Sequence, residues 1–199
     1  MKYIIFDMFE VLIDGILPVF IELAREYGTD SDEIKSIVGY RDFLDDYMKG
    51  NITESMYYRK IIEKSGWDIS VEDIKKRIYS NFISEYSGII QLLYLLEGKY
   101  ELVVLSDCGK DWIKHIKTEN QFFEVFNKFF FSCNTGRLKG EDGTFEYILN
   151  ELGTIPEECI FVDDNSKNVE KATKVGIKSI QYIGADDLRK RLVELGIEV

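Results

Sequence analysis

The chain has 199 residues, 45% of them hydrophobic, which suits one domain, or one core with a small insert, around a sizeable apolar interior. Its net charge of −11 argues against broad nucleic-acid binding, where clustered Lys and Arg must neutralise phosphates. No run approaches the about 18 consecutive apolar residues that span a bilayer, so neither a nucleic acid nor a membrane is an expected partner.

The first strand is expected near Lys2–Phe6, an apolar run too short for a signal peptide and interrupted at once by Asp7. From about Leu17 to Ser84 the pattern is helical. Pro18 suits a first helical turn, and Val19, Phe20, Leu23, Ala24 and Tyr27 recur at helical spacing before Gly28. Ser31 can cap a helix through Val38, Tyr40–Lys49 makes another, and Thr53 opens a longer one to Ser65. Ser70-Val71-Glu72-Asp73 is similar to a capping box, with Asp in place of Glu.

A helix over Gly88–Leu96, a strand over Tyr100–Leu105 and a helix over Asp111–Lys117 follow. Then come a strand at Lys128–Ser132, a helix at Thr144–Leu152 and a strand at Cys159–Val162. A helix at Asn165–Val175, a strand at Lys178–Tyr182 and a helix at Asp186–Leu195 finish the chain. This alternation predicts an α/β fold, a doubly wound parallel-sheet (Rossmann-like) core. Residues 1–15 and 87–199 form that core, and 16–86 an inserted α-helical cap. The crossings near Asp14–Leu17 and Ser84–Gly88 each carry a glycine and are expected to hinge.

Three apolar runs end in a polar residue: Tyr3-Ile4-Ile5-Phe6-Asp7, Leu102-Val103-Val104-Leu105-Ser106 and Ile160-Phe161-Val162-Asp163-Asp164. A fourth stretch, Gly136-Arg137-Leu138-Lys139, adds an amine. In an open parallel sheet catalytic groups gather at the carboxyl ends of the strands. There these segments bring a carboxylate, a hydroxyl, a lysine and an acidic pair, as phosphoryl chemistry with a divalent cation requires. Each signal alone has a plainer explanation: a strand-end turn, a solvated lysine, or acids set against a helix dipole. Their joint order carries the inference. Cys108, Cys133 and Cys159 form no CxxC pair and read as free thiols in a reducing cytoplasm. The single histidine, His115, falls between Lys114 and Lys117 on a helix expected to be exposed, and a Ser-His-Asp triad, which would have to use it, is not expected.

In order and over nearly the whole chain, these four segments resemble the motifs of the haloacid dehalogenase-like hydrolase superfamily, most closely its phosphatases with a helical cap. The resemblance implies hydrolysis of a small phosphorylated molecule with Mg²⁺. It makes Asp7 the nucleophile and Ser106, with the backbone of Met8, Phe9 and Asp107, a phosphate contact. Lys139 is implied as the counter-charge, and Asp7, the Phe9 carbonyl, Asp163 and Asp164 as the metal's surroundings, with Asp164 the direct ligand. There are two departures. Phe9 stands where the family's phosphatases carry an acid–base aspartate, and Gly140 where proline commonly follows the lysine. Glu10, next to Phe9, is expected to point away, because neighbours on an extended chain do.

Dehalogenases of the superfamily also carry an aromatic at the position of Phe9, but tend to have serines at those of Asp163 and Asp164. A phosphonate hydrolase would need a cap lysine, from Lys35, Lys49, Lys60 or Lys64. A phosphate- or partner-binding protein without turnover is a further alternative. The pairs Tyr57-Tyr58 and Phe122-Phe123 read as core before interface. Arg25, Arg41, Arg59 and Arg77 read as solvated faces before an anion clamp. Substrate identity and oligomeric state are not legible.

Overall fold

A computed structural model describes residues 1–82 and 87–199. The strands are β1 (Tyr3–Phe6), β2 (Glu101–Ser106), β3 (Lys128–Phe131), β4 (Cys159–Asp163) and β5 (Lys178–Gln181). Between β1 and β2 run α1 (Leu17–Tyr27), α2 (Ile34–Val38), α3 (Phe43–Met48), α4 (Glu54–Ser65), α5 (Val71–Asn81) and α6 (Ser87–Leu96). After β2 come α7 (Lys110–Glu119), α8 (Ser132–Thr135), α9 (Thr144–Leu152), α10 (Ser166–Lys174) and α11 (Ala185–Glu194).

The strands form one parallel sheet in the order β3-β2-β1-β4-β5. Ile4 of β1 pairs with Leu102 on one side and Ile160 on the other. All four β1 residues are buried, because helices cover both faces of a parallel sheet. The two-residue alternation of a strand sorts its side chains. Ile4 and Phe6 pack with Leu102, Val104, Ile160 and Val162, while Tyr3 and Ile5 pack with Val103, Leu105 and Phe161. On that second face, Phe145, Ile148 and Leu149 of α9 and Ala172 of α10 complete the layer.

Helix ends follow local chemistry. Pro18 lies in the first turn of α1, and Gly28 closes it at φ 68°. Thr53 caps α4, its Oγ1 accepting from the Met56 N–H at 3.2 Å. Ser70 caps α5 in the same way, at 3.0 Å from the Asp73 N–H. The Asp73 carboxylate accepts from the Ser70 hydroxyl at 2.6 Å, where the longer Glu of a full capping box would reach the backbone. Two expectations are corrected. Asp30, not Ser31, caps the second helix, which begins as a 3₁₀ turn over Ser31–Glu33. The helix expected at Tyr40–Lys49 shortens to Phe43–Met48, because Gly39 (φ 80°) and Arg41 (φ 60°) take left-handed conformations that an α-helix cannot contain.

The helices between β1 and β2 are tied to the rest through buried polar contacts. Trp112 Nε1 on α7 donates to the Tyr58 hydroxyl at 2.8 Å, and the Ser132 hydroxyl donates to the Met48 carbonyl at 2.6 Å. Asn120 Nδ2 donates to the Phe82 carbonyl at 2.9 Å, and Lys49 pairs with Glu141. His115 is half-buried rather than exposed: its ring stacks on Tyr79 at 4.2 Å, and Nε2 lies 3.1 Å from the Tyr79 carbonyl oxygen. Tyr57, Tyr58, Phe122 and Phe123 are all buried core. The three cysteines are free. At the first crossing the Gly15 carbonyl accepts from Asn81 Nδ2 at 2.7 Å. The crossing expected at Ser84–Gly88 lies largely outside the described residues. Among the described residues no helix is long and apolar enough to cross a membrane.

Candidate active site

The chain leaves β1 for β2 and β3 on one side and reaches β4 and β5 on the other, so strand order reverses around β1. The crevice at such a reversal, at the carboxyl ends of the strands, is the usual ligand site of a doubly wound sheet. Asp7 follows β1 directly, and its N–H donates to the Val162 carbonyl at 2.8 Å, which sets it beside the end of β4. The Met8 N–H donates to Asp7 Oδ1 at 2.6 Å, while the Met8 side chain is sunk in the core.

Lys139 Nζ lies 2.6 Å from Asp7 Oδ2 and 2.7 Å from Asp163 Oδ2, and all three side chains are nearly or fully buried. Asp163 is held on every side. Oδ1 accepts from the Asn165 N–H at 2.8 Å, and Asn168 Nδ2 reaches both oxygens at 3.1 and 3.2 Å. Asp164, half-buried, completes a cluster in which Asp7, Asp163 and Asp164 each offer an oxygen, all within 4.8 Å of one another. That spacing suits a divalent cation with hard oxygen ligands.

Charge sharpens the case. Burial pushes the Asp7 carboxyl well above the usual carboxylate range, Lys139 opposing this and Asp163 adding to it. Asp164 is raised by burial and then by Asp163. Burial would lower the Lys139 ammonium, but Asp163, Asp7 and Asp107 more than offset that and raise it, so it stays protonated. Three carboxylates around one ammonium leave the pocket short of positive charge, a deficit that a divalent cation offsets. Ser106, the last residue of β2, is fully buried, and its hydroxyl has no hydrogen-bond partner among the described residues. A buried hydroxyl left unpaired is costly, and an incoming ligand oxygen would satisfy it.

The chain meets the loss of proline after Lys139 with hydrogen bonds. The Lys139 N–H donates to Asp107 Oδ1 at 2.9 Å, the Leu138 N–H to Glu141 Oε2 at 3.0 Å, and the Thr144 hydroxyl to the Leu138 carbonyl at 2.8 Å. The side chain of Asp107 therefore positions the lysine, a role its sequence neighbours do not signal. Asn168 was missed too, although an amide five residues beyond Asp163 on a helix start could have suggested it.

The expectation for Glu10 is corrected. The chain is not extended there but left-handed, at φ 61°, which is uncommon for a non-glycine residue and clusters at functional sites. Its Oε1 accepts from the Gly15 N–H at 2.9 Å, and a Cβ on Gly15 would stand only 2.7 Å from that oxygen. Glu10 thus turns toward the crevice. Phe9 packs 5.5 Å from the Phe82 ring and 6.3 Å from Trp112. A cavity of about 240 Å³ opens onto Asp7, Asp107, Lys139 and Asp164. Arg25, Arg41, Arg59 and Arg77 do not line it, and Arg77 pairs with Glu26.

Several known proteins share this sequence pattern and fold. The chain is 28% identical to flavin mononucleotide hydrolase 1 of Arabidopsis thaliana over 77% of its own length and 62% of that protein's. It is 22% identical to D-ribitol-5-phosphate phosphatase of Bacteroides thetaiotaomicron, over 96% of both chains. A crystal structure of a HAD family enzyme from Bacteroides thetaiotaomicron, in complex with magnesium and inorganic phosphate, superposes with a TM-score of 0.74. The match covers 92% of this chain and 95% of that one, at 22% identity. The family model for haloacid dehalogenase-like hydrolases matches residues 4–182. With nearly the whole chain matched, and with the crevice carrying the expected carboxylates and lysine, the protein belongs to the haloacid dehalogenase-like hydrolase family.

Proposed function

We propose that this protein is a Mg²⁺-dependent phosphatase of a small phosphorylated metabolite, working through an aspartyl-phosphate. The observation that carries the reading is the buried Lys139 ammonium shared between Asp7 and Asp163, with the oxygens of Asp7, Asp163 and Asp164 within 4.8 Å of one another. Magnesium complexes with phosphate in a protein of the same fold support it, as do the names of two sequence relatives. Residues 1–15 and 87–199 then act as the catalytic core and 16–86 as a cap over the crevice. The free thiols suit a reducing cytoplasm.

In this reading an oxygen of Asp7 attacks phosphorus, and the ester P–O bond breaks with its electron pair going to the leaving oxygen, which takes a proton from solvent water. A water oxygen then attacks phosphorus, the bond between phosphorus and the Asp7 oxygen breaks with its electron pair returning to the carboxylate, and the water's proton passes to solvent as inorganic phosphate leaves. Lys139 stays protonated, holds Asp7 in place and neutralises the transferring phosphoryl group. The Ser106 hydroxyl donates to a phosphoryl oxygen, which ends its isolation, and the backbone of Met8, Phe9 and Asp107 borders the same group. Mg²⁺, held by Asp7, Asp164 and the Phe9 carbonyl with Asp163 behind them, would offset the repulsion between carboxylate and phosphate.

Phe9 supplies no proton, so turnover of esters with poor leaving groups is weakened. The test is phosphate release from a panel of phosphoesters with Mg²⁺ and with a chelator. Release that needs the metal and vanishes in Asp7→Asn is expected. Release that persists in Asp7→Asn, or no release from any ester, overturns the reading.

A further inference from the structure

A second cavity, of about 380 Å³, adjoins the first and shares Phe9, Glu10, Tyr40, Met48 and Asp164 with it. The chemistry above does not use its far end, where Ile16, Leu17 and Ile21 stand with Trp112. The volume is that of a small-molecule site. Two features of its walls bear on what fits there.

The first is charge. The charged groups that line it are Glu10 and Asp164, both acidic, and no lysine or arginine lines it among the described residues. Asp164 serves the Mg²⁺ of the phosphatase reading, so a second phosphate or a carboxylate on the substrate would face the Glu10 carboxylate with no lysine or arginine to answer it. The second is rigidity. The half-buried Phe9 ring is the wall a ligand would meet, and it is backed by two fully buried rings, Phe82 and Trp112, the latter fixed by its hydrogen bond to Tyr58 at 2.8 Å. Aromatic walls held in place before a ligand arrives favour ring-sized apolar groups, because little conformational freedom is lost on binding. A polyol would find Glu10, Asp164 and the Tyr40 hydroxyl at one side, but hydroxyls set among Ile16, Leu17, Pro18 and Ile21 would meet no polar side chain, at a cost for each.

We infer that the substrate is a phosphate monoester whose other half is an uncharged, mainly apolar group of about ring size, seated in this cavity while its phosphate lies over Asp7 and Lys139. The inference rests on the phosphatase reading and narrows it to a substrate class.

Three esters with comparable alkoxide leaving groups separate binding from leaving-group chemistry: 3-phenylpropyl, propyl and 3-carboxypropyl phosphate. Acetyl phosphate, too small to reach the far end, reports the basal reaction. With Mg²⁺, kcat/KM for the phenylpropyl ester should exceed that for the propyl ester by about tenfold or more, from apolar burial alone. The carboxypropyl ester should fall below both. Ile21→Asn should erase the phenylpropyl advantage and leave acetyl phosphate hydrolysis unchanged. In the unaltered protein, 3-phenylpropylphosphonate should inhibit acetyl phosphate hydrolysis at lower concentration than propylphosphonate. If acetyl phosphate is hydrolysed in an Asp7-dependent way but the phenyl group confers no advantage, or the carboxylate is preferred, the substrate class is wrong and the phosphatase reading stands. If acetyl phosphate and all three esters are inert, both fall.

Discussion

Lys139 neutralises two buried carboxylates at once, with Asp7 at 2.6 Å and Asp163 at 2.7 Å. Removing one partner of a buried ion pair leaves charge without compensation and costs about 3–5 kcal/mol. Lys139→Met should lose that much in urea unfolding at pH 8. Asp7, which burial already raises against the pull of Lys139, would titrate higher still when folded once the ammonium is gone. Such groups contribute stability at low pH that disappears as pH rises through the folded value, so the deficit should be smaller at pH 5 than at pH 8. A deficit independent of pH would remove the ion-pair explanation. Phe9 is the other decisive residue. Phe9→Asp should raise alkyl phosphate hydrolysis by up to roughly 10²–10⁴-fold, the usual worth of a general acid–base, with acetyl phosphate changed little. The same substitution removes a ring from Phe82 and Trp112, so Tm should fall. An intact fold with unchanged alkyl-ester turnover would exonerate position 9.

Between elements, the polar chain Trp112–Tyr58–Glu54 joins α7 to α4: the Tyr58 hydroxyl accepts from Trp112 at 2.8 Å and donates to Glu54 at 3.1 Å. Glu54 is buried, and Tyr79 at 2.8 Å and Lys75 at 2.8 Å also serve it. Tyr58→Phe strands the indole N–H and should cost about 1–3 kcal/mol in chemical denaturation. A value near zero would mean that water replaces the hydroxyl. The Lys49–Glu141 pair joins the segment after α3 to the loop that carries Lys139. Its hydrogen bond to Lys49 holds the Glu141 carboxyl below its ordinary value of 4.5. A depressed acid contributes stability that is present above its unfolded pKa and lost as pH falls through its folded one. Glu141→Gln should therefore remove a small increment, about 0.2–1 kcal/mol for so exposed a pair, seen at pH 7 and fading as pH falls below the ordinary 4.5.

At the level of the whole molecule, Asp7 and Asp164 are 157 positions apart in the chain and meet because β1 and β4 are neighbours in the sheet. A cation bound only by the folded arrangement stabilises it by mass action, about 2.7 kcal/mol at one hundred times its dissociation constant. Mg²⁺ should thus raise Tm reversibly to chelator, and Asp164→Asn should blunt the rise. No shift with Mg²⁺ would count against a metal at this cluster.

Apolar runs ending in Asp7, Ser106 and Asp163-Asp164 made the parallel core and its catalytic groups legible, because buried strands and their polar ends obey local rules of pattern and position. Helix limits at Gly28, Thr53 and Ser70 were legible for the same reason, each set by one capping residue. Other features depended on backbone turns or tertiary contacts that the apolar pattern does not mark. The left-handed Glu10, whose carboxylate accepts from the Gly15 N–H, and the left-handed Arg41 ahead of a short α3 are of this kind. The grip of Asp107 on Lys139, and an apolar cavity walled by Phe9 and Trp112, need strands and helices already packed together. Strand and cap signals act over a few neighbouring residues. Side-chain direction, burial and the sharing of one ammonium by two acids are set by contacts that exist only once the sheet has closed.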